Sequence, residues 1–147
     1  MSSPMKFRLD IVSPERLVYS DEIDVLTVPT VQGEISILAH HIPLVTVIMP
    51  GEIRIKKGSD IEYMTITGGF IQVAKNKVTI LADTAEKAEE IDVQRAEKAR
   101  ERARKLLEQK QLDKVSHAET MAALQRALLR IKVARHKSSR GMDSSKT

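Results

Sequence analysis

Ile91, Asp92, Arg95 and Ala96 form an Ile-Asp-x-x-Arg-Ala motif near the middle of the chain, and further arginines follow at Arg102, Arg126 and Arg130. Guanidinium groups are planar, bidentate donors that match phosphate and carboxylate oxygens. Held ~6 Å apart at an effective dielectric near ~20, two such charges repel by roughly 3 kcal/mol before solvent screening, unless an anion lies between them. The chemistry on offer is therefore anion binding, with a polyphosphate the best match. The opposing reading is an ordinary solvated charged face, with Glu97 and Glu101 as partners at helical spacing.

Catalytic signatures are missing. No Gly-x-x-x-x-Gly-Lys phosphate loop, Gly-x-Gly-x-x-Gly turn or Gly-x-Ser-x-Gly elbow occurs. The histidines (His40, His41, His117, His136) lack metal-ligand spacing, and there is no cysteine. His40-His41, ahead of Ile42-Pro43, reads most simply as a surface loop. Glu89 and Glu90 are adjacent, so on a helix they diverge by ~100° and form no acid/base pair. These absences argue against an enzyme and leave catalytic and metal residues unassigned.

The elements that must position the arginines follow from where the chain-breakers fall. All five prolines lie in the first 50 residues, all four aromatics lie by Phe70, and neither Gly nor Pro occurs between Phe70 and Arg140. Upstream, apolar residues alternate at Ile53/Ile55, Ile61/Tyr63, Ile71/Val73 and Val78/Ile80, with turn signals between them. Downstream, Ala96, Ala99, Ala103, Leu106 and Leu107 recur at helical spacing, and Met121, Leu124, Leu128 and Ile131 form a second apolar face. The fold class is α+β: an N-terminal antiparallel β-sandwich over 1–84, a two-helix antiparallel hairpin over 85–137 and a disordered tail over 138–147. Asp83 or Thr84 suits the first helix N-cap, with Glu86 completing a capping box, and Ser116 with Glu119 reads as the second.

A turn centred on Lys114 makes antiparallel partners sum to about 228. Arg102 then faces Arg126, Lys98 faces Arg130, and Arg95 lies further along. The seam is alanine-rich, and alanine burial returns little beside the ~1.5–3 kcal/mol of a buried Leu or Met. Such a hairpin is only marginally closed.

Charge divides the same way. Residues 1–83 hold 8 Lys/Arg against 10 Asp/Glu, whereas 84–147 hold 16 against 10. A basic arm suits nucleic acid, an anionic membrane or an acidic protein partner. No run approaches the ~18 apolar residues of a membrane helix, and the N-terminus has neither a secretory nor a transit character, so the chain reads as cytosolic.

The stretch from Gly68 to Ala96, together with Gly33-Glu34-Ile35 and His41-Ile42-Pro43-Leu44, resembles the epsilon subunit family of bacterial rotary (F-type) ATP synthases. The resemblance covers about Lys6 to Arg135. Ala39-His40 departs from it, standing where the family commonly has Pro-Gly. It implies a noncatalytic central-stalk subunit of a proton-translocating ATP synthase, on the cytoplasmic side of the bacterial membrane. The sandwich would bind the gamma subunit and the membrane rotor ring of c subunits. The hairpin would extend toward the catalytic alpha and beta subunits and inhibit ATP hydrolysis, or fold and bind ATP as a regulatory ligand. By motif, the ATP site implied is Glu86, Ile91, Asp92, Arg95, Ala96, Arg102, Arg126 and Arg130. A basic helical hairpin that binds nucleic acid or anionic membranes is the alternative, disfavoured because the basic region has no aromatics for base stacking.

Overall fold

The computed structural model describes residues 5–109 and 113–144, and the chain divides into two compact units after Lys87. The boundary lies three residues beyond the expected Thr84.

The first unit holds ten strands: β1 (Phe7–Val12), β2 (Leu17–Ile23), β3 (Val25–Thr30), β4 (Gly33–Leu38), β5 (Leu44–Ile48), β6 (Gly51–Lys57), β7 (Asp60–Ile66), β8 (Gly69–Ala74), β9 (Lys77–Ala82) and β10 (Ala85–Lys87). Along the ladder they run β10-β7-β6-β3-β5-β8-β9-β1-β2, with β4 on β3, and form a β-sandwich. Period-two alternation decides the core. Phe7, Leu9 and Ile11 on β1 point inward, as do Ile53 and Ile55 on β6, Ile71 and Val73 on β8, and Val78 and Ile80 on β9. Each fully buried Ile or Leu contributes ~1.5–3 kcal/mol, enough for a self-supporting core at this size.

Two expectations are corrected here. The sheet is mixed, because β1 pairs β9 in parallel (Leu9 opposite Val78, Ile11 opposite Ile80) while the other ladders are antiparallel. Nor does the first helix begin at Asp83 or Thr84. Residues 85–87 find ladder partners at Ile66, Thr65 and Met64 instead, and Ala85 is buried. The Thr84 and Thr67 hydroxyls, 2.7 Å apart, fix the entry to β10. Local capping signals lost to main-chain pairing.

The Lys75-Asn76 turn between β8 and β9 has φ of 52° and 59°, the left-handed pair of a tight hairpin turn. Asn76 does more than turn the chain. Its Oδ1 accepts the His40 backbone N–H at 2.8 Å, and its Nδ2 donates to the Lys6 carbonyl at 2.9 Å. That contact holds His40 at φ 61°, the conformation a glycine takes there without strain. His40→Gly is therefore expected to raise stability by about 0.5–1 kcal/mol, because relief of the left-handed penalty outweighs the added unfolded-state entropy. A lower urea midpoint for that variant would refute the strain.

The second unit comprises a short 3-10 turn (Ala88–Glu90), helix α1 (Val93–Glu108) and helix α2 (Lys114–Ser144). Helix α2 continues past Lys137 to Ser144, where the sequence suggested a fade into a disordered tail. Residues 145–147 of that expected tail, and residue 112 of the interhelix break expected over 112–116, lie outside the described residues. Asp113 rather than Ser116 caps α2, its Oδ1 accepting the Ser116 backbone N–H at 2.7 Å. That bond, chiefly, holds the Asp113 carboxyl below the usual range.

Candidate functional site

Asp92 and Arg95 are joined through the backbone. Asp92 is the N-cap of α1, with extended φ/ψ of −82° and 102°, and its Oδ1 accepts the Arg95 main-chain N–H at 3.1 Å. The Asp-x-x-Arg spacing is thus a capping geometry. It leaves the Arg95 guanidinium exposed on the first turn. Flanking it, Ile91 and Ala96 are buried.

The expected pairing across the hairpin does not hold. A groove of about 320 Å³ runs between the helices, lined by Ala99, Arg102 and Ala103 from α1 and by Glu119, Thr120 and Ala123 from α2. The α1 lining spans 99–106 and the α2 lining 119–123, so antiparallel neighbours centre on sums near 223. One turn further, buried Ala96 and buried Ala127 fit the same register. The turn therefore lies about three residues earlier than Lys114, because Asp113 caps α2 and brings its start forward. Arg102 shares the groove with Glu119. By the same register Arg126 and Arg130 fall alongside the first turn of α1, near Arg95 and Asp92, and not opposite Arg102 and Lys98.

That register sets Arg126 and Arg130 level with the α1 turn that carries Arg95, and Arg102 stands two turns away on the same face as Arg95. Arg95, Arg102 and Arg126 are exposed, Arg130 is half-buried, and Glu101 is engaged by Arg104 at 2.7 Å. Glu86 does not belong to the helices at all: it sits in β10 opposite Thr65. The buried apolar residues of the second unit are Ala88, Ile91, Ala96, Ala103, Ala127, Ile131, Val133 and Ala134, most of them alanine.

A second feature was not read from the sequence. On the outer face of the sandwich, Val47, Phe70, Leu81, Val12 and Leu17 are successive cross-strand partners on β5, β8, β9, β1 and β2. Phe70, Leu81 and Leu17 are each more than half exposed (56%, 57% and 57%). Five strands at ~4.8 Å make the row about 19 Å long. Two residues along β8, β9 and β1 the row turns polar, with Gln72, Thr79, Asp10 and Ser20 in register, whereas β5 stays apolar at Val45. There the Ser20 hydroxyl donates to Asp10 at 2.6 Å, and this bond, with help from Lys77 and Arg8, lowers the Asp10 carboxyl pKa. An apolar row with a satisfied polar border has the anatomy of a protein interface. Alternation marks these side chains as outward, but only strand order and register align them.

The architecture is a ten-stranded sandwich followed by a capped helical hairpin. The chain belongs to the ATP synthase delta/epsilon chain family: residues 6–88 match its beta-sandwich domain and residues 89–135 its long alpha-helix domain. It is 45% identical over 129 residues to the ATP synthase epsilon chain of Dehalococcoides mccartyi, covering 88% of this chain and 92% of that one. It is also 45% identical over 138 residues to that of Herpetosiphon aurantiacus, covering 92% and 99%. Among solved structures, the fold matches a chain of the Euglena gracilis mitochondrial ATP synthase OSCP/F1/c-ring assembly, with a TM-score of 0.72, 24% identity and coverage of 94% and 84%. These relatives make the chain an epsilon-type, noncatalytic subunit. No helix among the described residues is long and apolar enough to cross a membrane.

Proposed function

We propose that this chain couples the rotor ring of a proton-translocating ATP synthase to its catalytic head from the central stalk, on the cytoplasmic side of the bacterial membrane. In this reading the sandwich docks on the gamma subunit and the ring of c subunits. The hairpin regulates: extended, it reaches the alpha and beta subunits and inhibits hydrolysis; folded, it is held by ATP. The apolar row on the sheet carries the reading, because a rigid sheet exposing Phe70, Leu81 and Leu17 in register needs a cover.

Regulation follows from the hairpin's energetics. A seam closed largely by alanine gains little, and the exposed Arg95 and Arg126 gain from an anion placed beside them. Moving an equilibrium from 1:99 to 99:1 requires about 5.5 kcal/mol of differential binding. Two or three phosphate–arginine contacts at ~1.5–3 kcal/mol each supply that. Arg95, Arg126 and Arg130 are the contacts the register favours, with Ile91 and Ala96 beside them and Arg102 for the distal end of the ligand. Asp92 serves by capping α1 and fixing the turn that carries Arg95.

Two measurements test this. A chain ending at Lys87, with β10 intact, should fold and still join the synthase; failure to join would overturn the division of labour. Calorimetry with ATP on the full chain should show saturable heat, weakened at least tenfold by Arg126→Ala or Arg95→Ala. Flat heats up to millimolar ATP would remove the nucleotide switch and leave the arginines as docking charges.

A further inference from the structure

Strand β5 pairs with β8 along one edge, but its other edge is covered only at the C-terminal end, where Thr30 of β3 lies opposite Ile48. Two main-chain bonds flank that pair. The Val31 N–H donates to the Val47 carbonyl at 3.1 Å, and the Met49 N–H donates to the Pro29 carbonyl at 2.9 Å. These bonds fix the direction of every peptide group on the strand, because successive residues of an antiparallel ladder turn their N–H and C=O groups to opposite edges. Val47 and Met49 therefore point away from β8, Thr46 and Ile48 point toward it, and Val45 shares the direction of Val47. Beyond the Val31 bond no strand pairs with this edge among the described residues. The Val45 N–H, the Val45 C=O and the Val47 N–H are left along an open edge, and Val45 is 70% exposed.

Sheets usually blunt such edges with charge, proline or a bulge. Val45, Thr46 and Val47 are instead uncharged and β-branched, the residue types that suit a paired strand. Pro43, with no N–H to offer, limits the edge on its N-terminal side. The outward side chains beside it are apolar: Val45, Val47 and Met49 on β5, with Val31 bonded next to Val47, are all exposed. Val47 is also the first member of the outer row that continues through Phe70 and Leu81. A helix satisfies its own main chain, so it would cover these side chains and leave the three edge groups unpaired. An extended segment serves both.

We propose that an extended segment of the subunit covering the outer row adds to β5 as a further strand, an inference that rests on the central-stalk reading. The incoming strand exchanges main-chain hydrogen bonds with Val45 and Val47 and lays apolar side chains, at alternate positions, along Val45, Val47 and Met49. Main-chain pairing supplies affinity, and the alternate apolar contacts supply specificity.

Amide hydrogen exchange resolved by residue tests this. In the free chain the Thr46 amide, turned toward β8, should be protected, while those of Val45 and Val47 exchange nearly as fast as unpaired amides. After reconstitution with a synthase lacking this subunit, both should slow by about a hundredfold or more. Val45→Pro removes one edge N–H and nothing from the β8 ladder, at a position where strands accept proline. It should weaken assembly about tenfold or more, and Val45→Thr, which keeps the main chain, far less. Should the proline variant fold poorly, exchange on the native chain decides alone. Val45 and Val47 already protected in the free monomer would overturn the open edge, and protection that appears with dimerisation of the free chain would give the edge to a second copy instead. Assembly with both amides still exchanging freely, or equal losses in the two variants, would overturn strand addition and leave the central-stalk reading standing. A native chain that fails to assemble overturns both.

Discussion

Gly69→Ala is expected to unfold the sheet unit, with a loss above ~4 kcal/mol against a total stability of about 5–15 kcal/mol. Gly69 begins β8 at φ +149°, in a conformation L side chains rarely adopt. A Cβ placed there would lie 2.1 Å from the Leu81 carbonyl oxygen and 3.0 Å from the Ala82 Cα. Both are main-chain atoms of β9, so no rotamer change relieves the clash. Gly69 pairs at once with Ala82 on β9 and Ile48 on β5, and sliding β8 away from one partner breaks its ladder with the other. Gly33→Ala is the control. It shares a positive φ, +110°, but a Cβ there meets nothing within 4 Å, so only the backbone penalty of about 1–3 kcal/mol applies. Circular dichroism and urea denaturation of the two variants separate space from torsion. Equal, small losses would show that β8 and β9 can yield.

How far this was visible beforehand depends on the range of the interaction. The change from period-two to helical patterning near residue 84 placed the two units within three residues, because core burial writes itself into local periodicity. Capping was misjudged for the opposite reason. Asp83, Thr84 and Glu86 carry good local signals, yet three backbone pairs with β7 override them. Arg95, Arg126 and Arg130 were legible as a charge pattern, but their register was not: the position of the turn, set by Asp113 at the start of α2, moves every cross-helix pair by about five in its sum. The parallel β1–β9 pair depends on segments more than 30 residues apart, which no local pattern specifies. His40 lies between. Its departure from Pro-Gly was plain, and the structure supplies the Asn76 hydrogen bond that holds it in a glycine-like turn.

The outer apolar row yields the second large effect, and it rests on the central-stalk reading. Phe70 and Leu81 are directly opposed across β8 and β9 with both side chains exposed, so neither supports the core. Replacing them by Phe70→Asp and Leu81→Lys puts opposite charges on facing positions, a pairing antiparallel strands tolerate. Stability should therefore change by no more than about 0.5 kcal/mol, as at other surface positions. Docking should not survive so well. Aromatic anchors at the centre of an interface typically account for ~2 kcal/mol or more each, and burying an aspartate there adds desolvation. A loss of at least ~100-fold in affinity for the rest of the synthase is expected, equivalent to about 2.8 kcal/mol. Ser20→Ala, in the polar border, should cost the complex far less. Reconstitution of the double variant with a synthase lacking this subunit, read by sedimentation and by proton-coupled ATP synthesis, decides the matter. A variant that folds and assembles with unchanged affinity would show that the row lies outside the contact and that the sandwich docks through another face.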